Sequence, residues 1–425
     1  MHIGIVIARI GGVDGVALET EKWMAVLERM GHRCSILTGQ LEADFPGATL
    51  LPQLSLFHPD CERDQEDAFF GQKADEKTLL DRLEQAAVHI EHHIGQWIAE
   101  RGVEVLLTEN STTLPCHLSM GMALKRVMEK TGIPAVSHNH DFHWERGERY
   151  RTRYGGVRAV VDDCFPPVLP NLRHAVINSY CEDSLKQQLG IEAVVVPNVM
   201  DFKAPFGAVD DYNRDLPLSL GLREGDIPLF QITRIVRRKG IETAVELVRR
   251  LGDPRIKLVV TGTAKDDLGG GYYRELAAQV ERDGLEDRVL FAGDRFDAVR
   301  RTAKDGKKVY ALSDAYAHCR AMTYFSTYEG FGNAFVEAVA AKVPVFVNNY
   351  EPVYWPDIGS KGFKTVQIEG GRLTDEAVAR MKELVYDPER ARDLTEFNFR
   401  LGEEHFSYEV LEGILGRLFR GTGDP

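Results

Sequence analysis

Two α/β domains, each built on a doubly wound parallel sheet, are what this chain of 425 residues predicts. Three observations carry that expectation. Short β-branched runs alternate with helical patterns, the alternation is played twice, and a connection containing Pro and Gly separates the two rounds. Ligands of open parallel sheets bind at the carboxyl ends of the strands, so two such sheets are expected to face each other across an interdomain cleft.

The first round reads as strands "HIGIVIA", "RCSILT", "VEVLLT", "PAVSH", "HAVINS" and "AVVVP", with helical stretches such as "GVALETEKWMAVLERMG" between them. Continuous apolar runs of this kind suit strands covered on both faces. The chain then passes through "VVVPNVMDFKAPFG", where Pro and Gly mark a linker. The second round reads "PLFQIT", "IKLVVT", "RVLFAG", "AMTYFS" and "VPVFV", with "GIETAVELVRRLG" as a helix. A last helix, "SYEVLEGILGRLFRG", follows an expected break at "NFRLGEEHF" and could fold back on the first domain. The expected divisions are residues 1–200, 201–396 and a C-terminal helix over 397–425. Residues 57–78, polar and charged, read as a mobile surface excursion.

Composition narrows the class. Hydrophobic residues make up 44% and charged ones 28%, the mixture of a soluble globular protein. A formal net charge of −13 argues against nucleic acid or an anionic membrane as the main partner. The six cysteines are scattered without a CxxC pair, as in a reducing compartment. The opening "MHIGIVIARIGG" reads as a first strand and not a signal peptide, and no run approaches the roughly 18 apolar residues of a membrane span. A cytoplasmic location is expected, and the oligomeric state is left open.

Chemistry concentrates after three strands. In "FSTYEGFGNAFVE", Glu329 and Glu337 stand eight positions apart, about 12 Å along a continuous helix. Gly330 and Gly332 argue instead for strand, turn and helix, with Glu329 in the turn and Glu337 in the helix's second turn. Backbone N–H groups around Phe331, Gly332 and Asn333 would favour an anion there, while a carboxylate such as Glu337 can accept from ribose hydroxyls. A helix N-terminal acid pair stabilised by the dipole is the plainer alternative. In "QITRIVRRKG", Arg234 and Lys239 precede a helix start, where a guanidinium and an ammonium can grip a pyrophosphate. A solvated basic loop would look the same.

The third segment is "VSHNHDFHWERGERYRTRYGGVR". His138 and His140, two apart at a strand end, can project to one side, with Asp141 and His143 following. Metal ligands and hydrogen-bonded loop supports both fit these histidines, but the spacing matches none of the familiar zinc patterns, so no metal is expected. Five arginines lie between Arg146 and Arg158, diluted by Glu145 and Glu148. Either they form a solvated face, or part of the run, Arg146 and Arg149 first, receives an anionic acceptor. Gly11-Gly12-Val13-Asp14-Gly15 lacks a full GxGxxG, which disfavours nicotinamide binding. Close backbone approach at Gly11 and Gly12 would instead leave room for acceptor or donor phosphate.

The series Arg234…Lys239, "RVLFAGD", Glu329-Gly330-Phe331-Gly332…Glu337, with "RIGGVDG" and "VVVPNVMD" upstream, resembles the retaining glycosyltransferases of the GT-B fold, family 4, over nearly the whole chain. The resemblance implies that Arg234 and Lys239 bind the donor diphosphate, that Glu337 holds the ribose, and that Glu329 lies beside the donor sugar. Gly12, Gly330, Phe331, Gly332 and Asn333 are the further donor-side candidates. It also implies that one histidine lines the sugar pocket; His140, next to Asp141, is the choice. Gly11, His138, Asp141, Arg146 and Arg149 are the acceptor candidates. Two departures fall near the donor pocket: Lys342 stands where the family often has glycine, and "NNYEPVYWPDIG" replaces a glycine-rich segment. The same run looks closest to enzymes making compatible-solute or sucrose-type glycosides. That implies GDP-mannose as donor, or UDP-glucose, and a small anionic acceptor such as glucosylglycerate. The nucleotide sugar is a co-substrate, no cofactor is obligatory, and a divalent cation is admitted. A nucleotide-sugar epimerase, a sucrose-phosphate-type synthase, a silent sugar-binding protein and a dinucleotide oxidoreductase are the competing readings.

Overall fold

A computed structural model describes residues 1–12, 14–42, 45, 47–263, 265 and 270–420. The chain divides into two compact units, one comprising Met1–Pro197 and the residues from Glu409 onward, the other Asn198–Tyr408. Val13, in the glycine loop, and the end of the expected C-terminal segment, residues 421–425, lie outside the described residues.

In the first unit the strands are β1 (His2–Ile7), β2 (Arg33–Thr38), β3 (Thr49–Leu50), β4 (Val105–Glu109), β5 (Ala135–Asn139), β6 (Leu172–Val176) and β7 (Ala193–Val195). They form one seven-stranded sheet in the order β3-β2-β1-β4-β5-β6-β7, and every pairing in it is parallel. β1, β4 and β5 are buried along their whole length, which is why β1 and the start of β4 run apolar without alternation, while β5 buries Ser137, His138 and Asn139 at its end. The helix Gly15–Arg29 starts where the Asp14 side chain accepts from the Val16 N–H. The last helix, Tyr408–Leu418, is tied to this unit: Arg29 pairs with Glu409 and Glu412 at 3.1 and 2.7 Å, and Arg173 donates to the Leu418 carbonyl at 2.7 Å.

The second unit contributes β8 (Ile227–Gln231), β9 (Ile256–Val260), β10 (Val289–Phe291), β11 (Phe296–Asp297), β12 (Arg301–Thr302), β13 (Lys308–Ala311), β14 (Ala321–Tyr324), β15 (Val345–Asn348) and β16 (Val366–Ile368). Its main sheet is six-stranded, in the order β10-β9-β8-β14-β15-β16, with a small three-stranded sheet β11-β13-β12 beside it. The main sheet is again parallel throughout. Leu229, Leu258, Val260, Ala321 and Phe346 pack with the helix Ile241–Leu251 in one core. In each sheet the strand order reverses direction at one place, between β1 and β4 in the first and between β8 and β14 in the second. Loops leaving a parallel sheet at such a reversal diverge and open a crevice.

Two expectations are corrected. Residues 57–78 are not a mobile excursion but carry the helix Pro59–Gln65 and a wider helical turn, Glu66–Phe70. Their charges are used internally, Arg82 reaching Asp64 and Asp67 at 2.9 and 2.6 Å, while Cys61, Ala68 and Phe69 are buried. The expected break at Asn398–Phe406 is absent, because one helix spans Pro388–Phe406 and ends at Ser407. Gly402, which suggested the break, is a close-approach residue: a Cβ there would stand 2.6 Å from Phe202 and Val339. No helix among the described residues is long and apolar enough to cross a membrane.

Gly240, between Lys239 and the helix Ile241–Leu251, sits at φ 61°, and a Cβ on it would lie 2.2 Å from the Phe325 carbonyl oxygen. Gly240→Ala should therefore destabilise the second unit by about 2 kcal/mol or more, since backbone on both sides leaves nothing flexible to yield. Urea unfolding of the variant measures this, and an unmoved midpoint would contradict the packing.

Candidate active site

The segments after β8 and β14 meet because those strands are paired neighbours, Ala321 opposite Leu229 and Met322 opposite Phe230. After β8 the chain passes Arg234 and makes a tight turn over Arg237–Lys239. After β14 it turns through Glu329 into the helix Asn333–Ala340. The Lys239 ammonium and the Arg238 guanidinium both bind the Glu329 carboxylate, Arg238 at 2.9 Å. Arg238 also donates to the Tyr328 carbonyl at 2.7 Å, and its own carbonyl accepts from Thr327 N–H at 2.8 Å. Glu329 and Lys239 are 7% and 9% exposed, so each charge depends on the other. Burial pulls the Glu329 carboxyl upward, but Lys239 and Arg238 outweigh it and hold the group below its ordinary value, ionised. Arg234 is exposed, near enough for its charge to act on Lys239.

Glu337 lies in the second turn of the helix, where its carboxylate accepts from the Tyr316 hydroxyl at 2.8 Å. The Phe331 ring is buried against Phe406, and the Phe331 carbonyl accepts from Tyr350 at 2.7 Å. Gly332 caps the helix at φ 129° with the Tyr350 hydroxyl where a side chain would stand. Asn333 accepts from Asn198. The turn is thus fixed by aromatic residues beneath it, and Phe331 serves as an anchor rather than a surface group. Lys342, the departure from glycine, takes φ 54° and pairs with Glu396 at 2.8 Å.

A second cluster forms in the first unit. Glu109 ends β4, His138 lies opposite it on β5, and His140 follows. The His138 Nδ1 and Glu109 Oε2 are 2.9 Å apart, and His140 Nε2 lies 4.0 Å from the same oxygen. Trp23 stacks on His138 at 4.1 Å, and the His140 N–H donates to Asn110 Oδ1 at 3.1 Å. Asn110 holds φ 52°, an uncommon conformation that places its amide for that bond. Burial pushes Glu109 up to about 8 and the two imidazoles down to about 3, so the group is neutral around pH 7.

The remaining candidates are dispersed. Asp141 pairs with Arg146, while the Arg149 guanidinium lies 5.7 Å over both Phe70 and Tyr150. Arg151 binds Glu148, and Arg158 donates to the Thr152 carbonyl at 3.2 Å, so these arginines already have protein partners. The Gly11 N–H is directed to Glu21, and the Glu42 carboxylate fills the space above Gly12 that a donor phosphate was expected to use. Sequence reasoning missed Glu109, Arg238 and Tyr316. Arg238 alone carried a signal, as a third cation in "RRKG"; the other two meet their partners only through the fold.

Residues 214–400 match the family model described as Glycosyl transferases group 1. The mannosylglucosylglycerate synthase of Thermotoga maritima is 34% identical to this chain, the match covering 98% of the chain and 99% of that protein. The enzyme of the same name from Petrotoga mobilis is 28% identical, covering 96% and 99%. Among solved structures, that of Anabaena HepE in complex with UDP and glucose superposes with a TM-score of 0.66 at 15% identity, covering 99% of both chains. The fold is GT-B.

The Lys239–Glu329 pair makes a stability prediction independent of any substrate. Lys239→Met leaves a buried carboxylate with one partner and should cost about 3–5 kcal/mol. Adding Glu329→Gln should restore a substantial part of that loss, as a double-mutant cycle in urea would measure. Strict additivity of the two changes would mean that the pair is not coupled.

Proposed function

This chain belongs to the group 1 glycosyl transferases and is a glycosyltransferase, and from that premise we propose that it moves mannose from GDP-mannose to a small acid such as glucosylglycerate, retaining the anomeric configuration. The resemblance to two relatives named mannosylglucosylglycerate synthase supports the donor and acceptor. The observation that carries the chemistry is the grip of Lys239 and Arg238 on Glu329. A carboxylate held ionised by two cations, one on each oxygen, keeps a lone pair on each oxygen to accept a hydroxyl hydrogen bond, while the two positive charges lower its nucleophilicity. Glu329 therefore orients a hydroxyl of the donor sugar.

Lys239 carries three N–H bonds and spends one on Glu329, which leaves two for the donor diphosphate. With Arg234 it offsets the negative charge that grows on the leaving oxygen as the bond to the anomeric carbon breaks. The acceptor oxygen attacks that carbon from the side the diphosphate is leaving, and its proton passes to a diphosphate oxygen. No enzyme nucleophile is used, so the configuration is kept. Glu337, held by Tyr316, takes the ribose hydroxyls. No cofactor is obligatory.

Incubation with GDP-mannose and glucosylglycerate tests the reading. The product's anomeric coupling constant in NMR should match the donor's, and an inverted linkage or a mannosylated Glu329 in mass spectra would refute the mechanism. UDP-glucose turning over in place of GDP-mannose would refute the donor assignment. Lys239→Ala and Arg234→Ala should each cost about 2–5 kcal/mol of transition-state stabilisation.

The ribose role predicts a different kinetic signature. Tyr316→Phe should raise KM for the donor with little change in kcat, and Glu337→Ala should raise it further. Donor KM equal to wild type in both variants would remove Glu337 from the nucleotide site.

A further inference from the structure

We propose that Glu109, His138 and His140 hold a divalent transition-metal ion of the zinc class in the first unit. One ligand atom from each of the three side chains lies within 4.8 Å of the other two, the one such trio among the described residues. Two imidazoles and a carboxylate are a donor set that zinc and its neighbours accept, with a fourth position left for water or substrate. Bonds of about 2.0–2.2 Å in a tetrahedron place ligand atoms about 3.3–3.6 Å apart. The separations here, 2.9 Å from Glu109 to His138 and 4.0 Å from Glu109 to His140, lie on either side of that spacing. The third separation, between the two histidines, is at most 4.8 Å, so side-chain shifts of about an ångström close the trio on an ion.

A second observation points the same way. Glu109 Oε1, His138 Nε2 and His140 Nε2 are buried and have no hydrogen-bond partner. The side chains of Glu109 and His138 are 0% and 1% exposed and that of His140 is 11% exposed. Buried polar atoms are nearly always satisfied, and one of these orphans, His140 Nε2, is itself the atom that faces Glu109 Oε2 across 4.0 Å; Glu109 Oε2 and His138 Nδ1 share a hydrogen bond that an ion would replace. The surroundings hold the donors still. Trp23 stacks on His138, and Asn110 fixes the His140 backbone. Such outer contacts orient metal ligands.

The ion's two charges meet one carboxylate, and Asp14 acts on His140 from nearby. The residual positive charge and open position suit an oxygen of an anionic substrate. That last clause rests on the transfer reaction proposed above; the ion does not.

The test uses the full chain, stripped with chelator and titrated with cobalt(II) alone, without donor or acceptor. A surface pair, exposed His89 and half-buried His93, has its rings 4.4 Å apart on one helix face and would bind metal weakly. The titration is therefore run in a His89→Ala/His93→Ala background. We expect one equivalent of cobalt, visible ligand-field bands of a four- or five-coordinate ion, displacement by zinc, and affinity lowered at least tenfold by Glu109→Gln and by His140→Ala. Circular dichroism establishes that each variant is folded. His140 is the least buried of the three, so His140→Ala decides alone if Glu109→Gln does not fold. No stoichiometric cobalt spectrum in the background protein, or unaltered affinity in a folded variant, overturns the site. Neither result bears on sugar transfer, which is measured separately.

Discussion

The second unit's chemistry depends on one buried ion pair. Lys239 and Glu329 sit at the ends of loops that the sheet brings together, and neither charge is tolerable without the other. The pair therefore closes the β8 loop onto the β14 loop, with Gly240 permitting an approach that any side chain would block. Arg238 adds a second cation and, through the Tyr328 carbonyl, fastens the backbone that carries Glu329. A carboxylate fixed in this way is an orienting group. Buried ion pairs in general add little stability over well-packed apolar residues of the same size, so what this pair secures is a charged, positioned oxygen at a sheet's ligand-binding edge.

The first unit puts its cluster in the corresponding topological place. Glu109 ends β4, at the strand reversal beside β1, as the Lys239 and Glu329 loops leave β8 and β14 at the reversal of the second sheet. Parallel sheets make such crevices from connectivity alone, and the residues at their rim are free to specialise. In the second unit the rim carries compensated charge. In the first it carries neutral imidazoles and a carboxyl that burial keeps protonated, with polar atoms left unpaired.

Most of the fold was readable because both parallel sheets place fully buried strands in sequence as continuous apolar runs. The pieces that escaped were short or edge elements. β3 has two residues, β16 has three at a sheet edge, and β11–β13 form a minor sheet with weak apolar patterning. The segment over residues 57–78 misled because its charges look solvated until Arg82, from the next helix, is placed among them. Gly402 misled because a glycine used for close packing is spelled like a glycine that ends a helix.

The candidate site was legible where its logic is local and hidden where it is not. Glycines between two acids announce a turn, and a cation series before a helix announces an anion grip. Whether those two features touch is a matter of strand order, and in this fold 90 residues separate Lys239 from the carboxylate that it holds. Glu109 is the stronger case. In "VLLTEN" it is an acid at the end of an apolar strand, which reads as the point where a sheet meets water. Its partner His138 comes 29 residues later on the adjacent strand, and both prove almost wholly buried. An acid that seems to mark the surface but lies inside must be either neutral or paired with something positive. Burial raises the Glu109 carboxyl to about 8, so it is neutral with nothing bound, and an ion set between it and the histidines would make it the charged partner.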